Sequence, residues 1–307
     1  MPTAVLDGFL EATVRSATPL AFAALGELVA ERSGVMNIGL EGAIAAGALA
    51  AFLGAQIAGP EIGFVAGGVA GALVAAVFAF FVLALRSQQI IVGAAVSMLG
   101  IGLSASIHRA MVSAGASTAQ VQTLASLPVP GLSTLPVVGD ALFAQPISTY
   151  LLYFLFPLTG WVLYHTVFGV ALRATGERPL AVVAAGHSAA KIQLAALIFG
   201  GVLAGLGGAT LVVAQTGAVS DGMSAGRGFI AIAIVALGRW TPRGVVVGVL
   251  VFGAVSALQF LAQAMAWNVP YTLVLASPYV LTLAAMAIFR GSRTAPAALG
   301  QPLDGGL

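Results

Sequence analysis

Apolar residues run along this chain in long unbroken stretches, not in alternation and not in narrow helical stripes. A helix crosses a bilayer with roughly 20 apolar residues. Stretches near that length occupy 9–29, 38–58, 62–85, 89–111, 148–168, 193–215, 222–239, 244–265 and 271–289. Barrel strands would be ~10 residues long and alternate with period two, which these do not. The pattern predicts an all-α, polytopic bundle of about nine transmembrane helices, within a range of 8–10. The weakest segment is 222–239, where the GRG at 226–228 shortens the clean apolar run. Small residues are dense within the stretches, as in GALAAFLGA (47–55) and GGVLAGLGGA (200–209). They let helix backbones approach closely in lipid, so a tight bundle is expected.

Composition agrees with that reading. Residues are 60% hydrophobic and 7% charged, and mean hydropathy is +1.05. A soluble domain carries about 25% charged residues, so an integral membrane protein is expected. The net charge of +2 comes with no basic run, which argues against a nucleic-acid partner. There is no cysteine, so disulfides and thiolate metal sites are excluded. His108, His165 and His187 are scattered without metal-ligand spacing. The first charges, Asp7 and Glu11, are acidic and do not make a signal peptide, so Met1 onward is read as mature protein. No Ser/His/Asp grouping, paired inward carboxylates or phosphate-binding glycine loop is visible, so no enzyme is expected.

Lys and Arg in short loops set orientation. One side receives Arg32, Arg86, Arg173, Arg178, Lys191, Arg239, Arg243, Arg290 and Arg293, and the other Arg15, Arg109 and Arg227. The richer side is assigned to the cytoplasm, with the C-terminus inside and the N-terminus outside. The chain reads as one transmembrane domain over 1–293, with an outer loop at 112–147, an inner loop at 169–192 and a short disordered tail at 294–307. The outer loop is expected to be exposed or flexible.

The inner loop is the first candidate for chemistry. Pro179 fits the first turn of a helix, where its missing N–H is no loss. Glu177 favours the positive helix end. Leu180 to Ala185 continue the helix, Gly186 stops it and Ser188 caps the next span. The apolar Leu-Ala-Val-Val-Ala-Ala flanked by Arg173, Arg178 and Lys191 reads as a docking helix for a cytosolic partner.

Gly-rich breaks near mid-bilayer are the second candidate, because a broken backbone exposes polar groups there. SGVMNIGLEG (33–42) and SAGRGF (224–229) qualify. Glu27 and Glu41 stand about one turn inside a span edge, where snorkelling or local ion pairing is the simpler reading. Gln88, Gln89, Ser97, Gln215, Gln259, Gln263 and Asn268 are polar groups in or near spans, each read first as an interhelical hydrogen bond. Sparse interior charge argues against coupling to an ion gradient.

GELVAERSGVMNIGLEGAIAAGA (26–48) resembles the signature of permease subunits of nucleoside-type ABC importers, within the ribose and branched-chain amino acid permease group. QQIIVGAAVSMLGIGL (88–103), RATGERPLAVVAAGHSAAKIQ (173–193), GRGFIAIAIVALGRWTPRG (226–244) and VPYTLVLASPYVLTLAAM (269–286) resemble later family segments in the same order. Leu180, Val182 and Val183 depart from the polar residues common in that loop.

The resemblance implies an ABC permease fold in a bacterial plasma membrane. It implies a second, different permease subunit, two ATPase subunits that use ATP and Mg, and an extracellular or periplasmic binding lipoprotein. This chain would bind no cofactor and would move nucleosides or related base-containing solutes inward by alternating access. Arg173, Gly176, Glu177, Pro179, Leu180, Ala184, Ala185 and Gly186 would couple to the ATPase. Glu31, Arg32, Gly34, Asn37, Gly39, Glu41, Gly42, Gln88, Gln215, Gly226, Arg227 and Gly228 would form the pathway or its backbone break. Asn37 is expected to satisfy freed backbone groups, Glu31 and Arg32 to sit at the cytoplasmic interface, and Glu41 to pair with Arg32 or a neighbouring helix. Alternatives are the same scaffold carrying a sugar, branched-chain amino acid or vitamin, a self-sufficient secondary transporter, or a membrane enzyme.

Overall fold

The computed structural model describes residues 2–115, 120–136, 138–265, 271–288 and 295–301. Twelve helices and one small hairpin follow in order among them: α1 (Pro2–Arg32), α2 (Leu40–Ala58), α3 (Pro60–Ala79), α4 (Gln89–Ser113), β1 (Ser126–Pro128), α5 (Gly139–Phe143), β2 (Ala144–Pro146), α6 (Ile147–His165), α7 (Val167–Glu177), α8 (Pro179–Ala184), α9 (Ala189–Leu211), α10 (Arg227–Leu237), α11 (Pro242–Ala264) and α12 (Tyr271–Ile288). π-helical turns extend α3 over Phe80–Ala84 and α9 over Val212–Thr216. The two strands pair antiparallel, with Leu127 opposite Gln145.

Local chemistry sets several boundaries. Pro60 and Pro242 occupy first-turn positions of α3 and α11. The side chains of Ser188 and Thr241 accept from the N–H groups of Lys191 and Gly244 and so cap α9 and α11. α6 stops at Thr166, whose backbone is extended, and the Thr166 hydroxyl oxygen accepts from Gly169 N to start α7.

α9 is the central column, packed against α1, α2 and α3, with α11 on the far side of α1. In lipid the apolar effect gives no drive for helices to associate, so dispersion contacts and interhelical hydrogen bonds must do it. Glycines make the close approach possible. A Cβ on Gly205 would fall within the carbonyl oxygen of Gly67 and 2.9 Å from the Cα of Gly71. On the other face, a Cβ on Gly47 would lie 2.6 Å from the Cα of Gly205. Three helices therefore cross at one point with no side chain between them. Phe22, Leu25 and Leu28 of α1 fill the adjoining core with no exposure.

Among the described residues, six helices are long and apolar enough to cross a membrane, within Leu40–Ala58, Pro60–Ala84, Gln89–Ser113, Ile147–His165, Ala189–Thr216 and Pro242–Gln263. The expected nine crossings are thus not reached by length and composition alone. The 9–29 segment lies inside the 31-residue α1, which also carries Asp7, Glu11, Arg15, Glu27, Glu31 and Arg32. The 222–239 segment supplies only the 11-residue α10, because its first residues form turns. The inner loop contains a second helix, α7, whose Val167, Phe168 and Val170 are exposed while Leu172 is buried.

The expected disorder of the tail does not hold at 295–301, where Pro296 is buried and the chain bonds back onto the bundle. Residues 294 and 302–307 lie outside the described residues, as do Asn268, Arg290 and Arg293. The segment read as the outer loop is exposed over most of its described residues, as expected, and it is also tied to the bundle. α4 runs on to Ser113, and Val121 and Leu124 donate backbone hydrogen bonds to Gly217 O and Val213 O at 2.8 and 2.7 Å.

Gly205→Val should force α3 and α2 off α9 and cost roughly 1–3 kcal/mol by overpacking. A lowered thermal transition of the detergent-purified protein, with normal membrane insertion, is the expected result.

Candidate functional site

The stretch between α1 and α2 turns sharply at Gly34 (φ +93°) and then runs without helical bonds to Gly39. Its freed backbone groups need partners, since an unpaired amide or carbonyl away from water costs several kcal/mol. Four buried side chains supply them. Met36 N donates to Gln89 Oε1 at 2.9 Å, and Asn37 N donates to Glu27 Oε1 at 2.9 Å. Ser97 Oγ donates to Ile38 O at 2.7 Å, and Gln193 Nε2 donates to Ser33 O at 3.0 Å. Gln89 and Ser97 were expected to bond between helices, and they bond instead to the non-helical stretch, Gln89 also to the tail. Asn37 does not fill the role assigned to it: it is buried and its Oδ1 has no partner. Gln88 is exposed, and its neighbour Gln89 is the buried residue. Gly39 and Gly42 press on α4, where a Cβ on Gly42 would lie 2.7 Å from Val96 O.

The two ends of this stretch hold the two ends of α10. Glu41 is 3% exposed, and its Oε1 and Oε2 accept from Gly226 N and Gly228 N at 2.8 and 2.6 Å. A carboxylate is favoured there by the helix dipole and the unpaired first-turn N–H groups. The approach requires glycine twice. Gly226 is left-handed (φ +74°), and a Cβ on Gly228 would lie 2.6 Å from Glu41 N. At the other end, Trp240 Nε1 donates to Glu31 Oε2, and Arg32 Nε donates to Trp240 O at 2.7 Å. Eleven residues of α10 rise about 16 Å, so one short loop clamps a half-length helix along its whole run.

Of the two partners expected for Glu41, the neighbouring helix is the one found, since Glu41 caps α10 and does not pair with Arg32. Two expectations change here. Glu31 is 1% exposed and is not at an open interface, because the indole of Trp240 covers it. Paired inward carboxylates do exist: Glu27 and Glu31 lie one turn apart on α1, both buried and in side-chain contact with each other. Trp240 and Gln193 were not singled out from sequence. A polar residue in the first turn of an apolar helix, as at Gln89 and Gln193, was the available signal.

At its α1 end the same stretch meets the α7–α8 loop. A Cβ on Gly176 would fall on the carbonyl oxygen of Arg32 and 3.1 Å from Gly34 N. The tail closes the junction: Ala298 N donates to Gly176 O at 2.8 Å and Gly300 N to Gly34 O at 3.2 Å. Ala297 N donates to Glu177 Oε2 at 3.3 Å, and Gln89 Nε2 donates to Gln301 O at 3.1 Å. Pro179 opens α8, Val182 is its buried residue, and Leu180, Ala184 and Ala185 are exposed. Gly186 has φ +83°. Arg173 lies over the Tyr164 ring, 4.9 Å from its centroid.

The N-terminal end of α10 opens on a cavity of about 440 Å³. Arg15, Gln215, Arg227, Gln259, Phe260 and Tyr279 are among its lining residues. Arg227 Nη1 donates to Met223 O and Ser224 O at 2.8 and 3.2 Å, and Tyr279 Oη donates to Ala225 O at 2.9 Å. Arg15 Nη2 donates to Gln215 O at 2.9 Å, and Gln215 Nε2 donates back to Arg15 O at 2.7 Å. Nearby, Asp221 accepts from Arg109 Nε at 2.8 Å and from His108 Nδ1 at 3.2 Å, tying the loop before α10 to α4. Among the described residues no three His, Cys, Asp or Glu side chains converge as a metal site would need.

Glu41→Ala strips two charge-assisted hydrogen bonds from buried amides and should destabilise the protein by roughly 3 kcal/mol or more. Glu41→Gln keeps one acceptor and should cost less, in the same thermal assay. The hydrogen bond from Arg109, then that from His108, holds the Asp221 carboxyl below the usual carboxylate range. A lowered folded value means the latch is present above that range and is lost only as pH falls through the lowered value. Amide exchange over 217–226 should therefore stay slow down to about pH 4, and should be fast at neutral pH in Asp221→Asn.

Comparison with known proteins places these features in a family. The profile described as branched-chain amino acid transport system / permease component matches residues 9–286. The chain is 37% identical over 283 residues to a putative glucose ABC transporter permease protein of Haloferax volcanii, covering 90% of this chain and 85% of that one. It is 32% identical to the guanosine ABC transporter permease protein of Bacillus subtilis, over 97% of both chains. To the nucleoside ABC transporter permease protein of Lactococcus lactis it is 31% identical, over 92% of both. No solved structure matches. The chain belongs to the family of branched-chain amino acid transport system permease components.

Proposed function

We propose that this chain is the membrane permease subunit of an ATP-driven ABC importer that carries nucleosides or related base-containing solutes into the cell. The observation that carries the reading is the continuous path through residues 32–41. Its inner end bears on Gly176 of the α7–α8 loop, and its outer end caps α10 at the polar cavity. Half-length helices whose ends face a cavity are a recurrent way to build a transport site inside a membrane. Two relatives with nucleoside or guanosine in their names, alike over nearly their full length, support the solute class.

In this reading ATPase subunits dock on the exposed face of α8, at Leu180, Ala184 and Ala185, with Arg173, Glu177, Pro179 and Gly186 shaping the helix. ATP and Mg belong to those subunits. Their closure moves the α7–α8 loop, and Gly176 passes the displacement to Arg32 and Gly34. Glu41 then shifts the start of α10, with Gly226, Arg227 and Gly228, against Gln215 at the cavity. A second, non-identical permease subunit completes the membrane part, and a binding lipoprotein delivers solute from outside. The chain forms one domain of about nine crossings in a bacterial plasma membrane, counting α1, α10 and α12, with N-terminus outside and C-terminus inside. The positive-charge bias of the α7–α8 side supports that orientation.

A hexose is the second reading, supported by the 37% identity to a relative named as a putative glucose permease.

A mild-detergent pull-down of the tagged chain from native membranes, followed by mass spectrometry, should recover an ABC ATPase and a different permease. Recovery of this chain alone, where a known ABC complex survives, would overturn the importer reading. Leu180→Asp and Gly186→Pro should each lower uptake of labelled nucleoside at least tenfold with unchanged membrane insertion. Full uptake by both variants counts against docking at α8.

A further inference from the structure

A second cavity of about 260 Å³ adjoins the first and shares Arg15 and Gln215 with it. Its chemistry differs. Around it stand the Glu11 carboxylate, the Gln145 amide and the hydroxyls of Thr123, Ser126, Ser148 and Thr149, with no aromatic ring. Ser148 is 1% exposed, and its Oγ has no partner. Thr149 Oγ1 reaches only Thr18 Oγ1, at 3.5 Å. Gln145 Nε2 is committed to Ala141 O at 2.9 Å, which leaves the amide oxygen as the acceptor. A buried hydroxyl without a partner is costly, and such groups are normally met by water or a ligand. The neighbouring cavity instead carries the Phe260 and Tyr279 rings and the Arg227 guanidinium.

We propose that the second cavity receives the sugar ring of the transported solute, with Glu11 and Ser148 reading its hydroxyls, while the aromatic cavity receives the base. This rests on the nucleoside reading above. Vicinal hydroxyls offer two O–H donors that match the two oxygens of a carboxylate, and a serine hydroxyl can donate and accept in the same contact. An aromatic face flanked by a cation suits a planar base by stacking. The Arg15–Gln215 pair stands where the two compartments meet, so a solute with one polyol end and one planar end matches their order.

The test uses the complete importer in proteoliposomes, with its binding lipoprotein, and labelled adenosine, guanosine, cytidine and uridine beside their 2′-deoxy forms. Wild type should take the ribo form with at least a fivefold higher kcat/KM for the base it accepts. Glu11→Gln and Ser148→Ala should bring that ratio toward one. Glu11 is exposed, so its variant leaves packing intact if Ser148→Ala misfolds. Nucleoside uptake with a ratio that neither variant alters, or with no preference in wild type, overturns the sugar compartment and leaves the nucleoside reading standing. If wild type takes up no nucleoside but takes labelled glucose, and both variants raise its KM severalfold, the compartment stands and the nucleoside reading fails. Glucose uptake indifferent to both variants means a water-filled cavity and overturns the proposal.

Discussion

The Glu41 carboxylate and the two amide hydrogens it accepts fix the middle of the bundle. An 11-residue helix starting within a membrane protein has unpaired N–H groups at its first turn and a dipole that calls for negative charge there. Water would normally answer both. Here the answer comes from a side chain on another helix, far away in sequence. Everything that shapes the neighbourhood follows from letting that carboxylate in. Gly226 adopts a left-handed backbone, Gly228 has no side chain to block it, and Gly42 lets the start of α2 lie against α4. The cavity then forms at the start of α10 because the chain from Gly217 to Gly226 is turns and not helix.

The same constraint accounts for the polar side chains around residues 33–38. A non-helical segment such as 34–39 is tolerated at membrane depth only where protein groups replace water. Glu27, Gln89, Ser97 and Gln193 are placed to do so, and each reaches a backbone group in the stretch. A greasy chain concentrates polar residues here because the break must be paired inside the fold. Elsewhere the bundle is closed by backbone proximity at glycines, where dispersion is strong and no polar group needs a partner.

What was legible in the sequence followed from periodicity and from local rules. The long apolar runs located the helices, and Pro179, Gly186 and Ser188 marked the edges of α8 and the start of α9. The family pattern at 26–48 and 173–193 was carried by short motifs that survive without any structure. Partners across space were not legible. Glu41 and Gly228 are far apart in sequence, as are Glu31 and Trp240, and a lone Glu near a span edge looks the same whether it snorkels or caps. α7 was missed because the run at 148–168 continues through Thr166 in hydropathy, while its break is a backbone event. The tail at 295–301 was read as disordered because Ala, Gly and Pro carry no periodicity. Its anchors are backbone hydrogen bonds, which do not depend on side chains and so leave no mark in composition.

Those backbone contacts bear on the coupling proposed for this chain. Gly176 meets Arg32 and Gly34 main chain to main chain, and the tail adds two more backbone bonds at the same junction. A side-chain contact can absorb a displacement by changing rotamer. A glycine seated on a carbonyl has no such freedom, and a close-packed interior transmits strain instead of dissipating it. The stretch that leads away from the junction is held by hydrogen bonds from three helices, so it cannot buckle freely along its length. It ends in a carboxylate fixed to the start of α10. In the proposed reading, a movement of α8 travels through these stiff elements to the cavity, and the glycines of 34–42 serve as close contacts as well as turns.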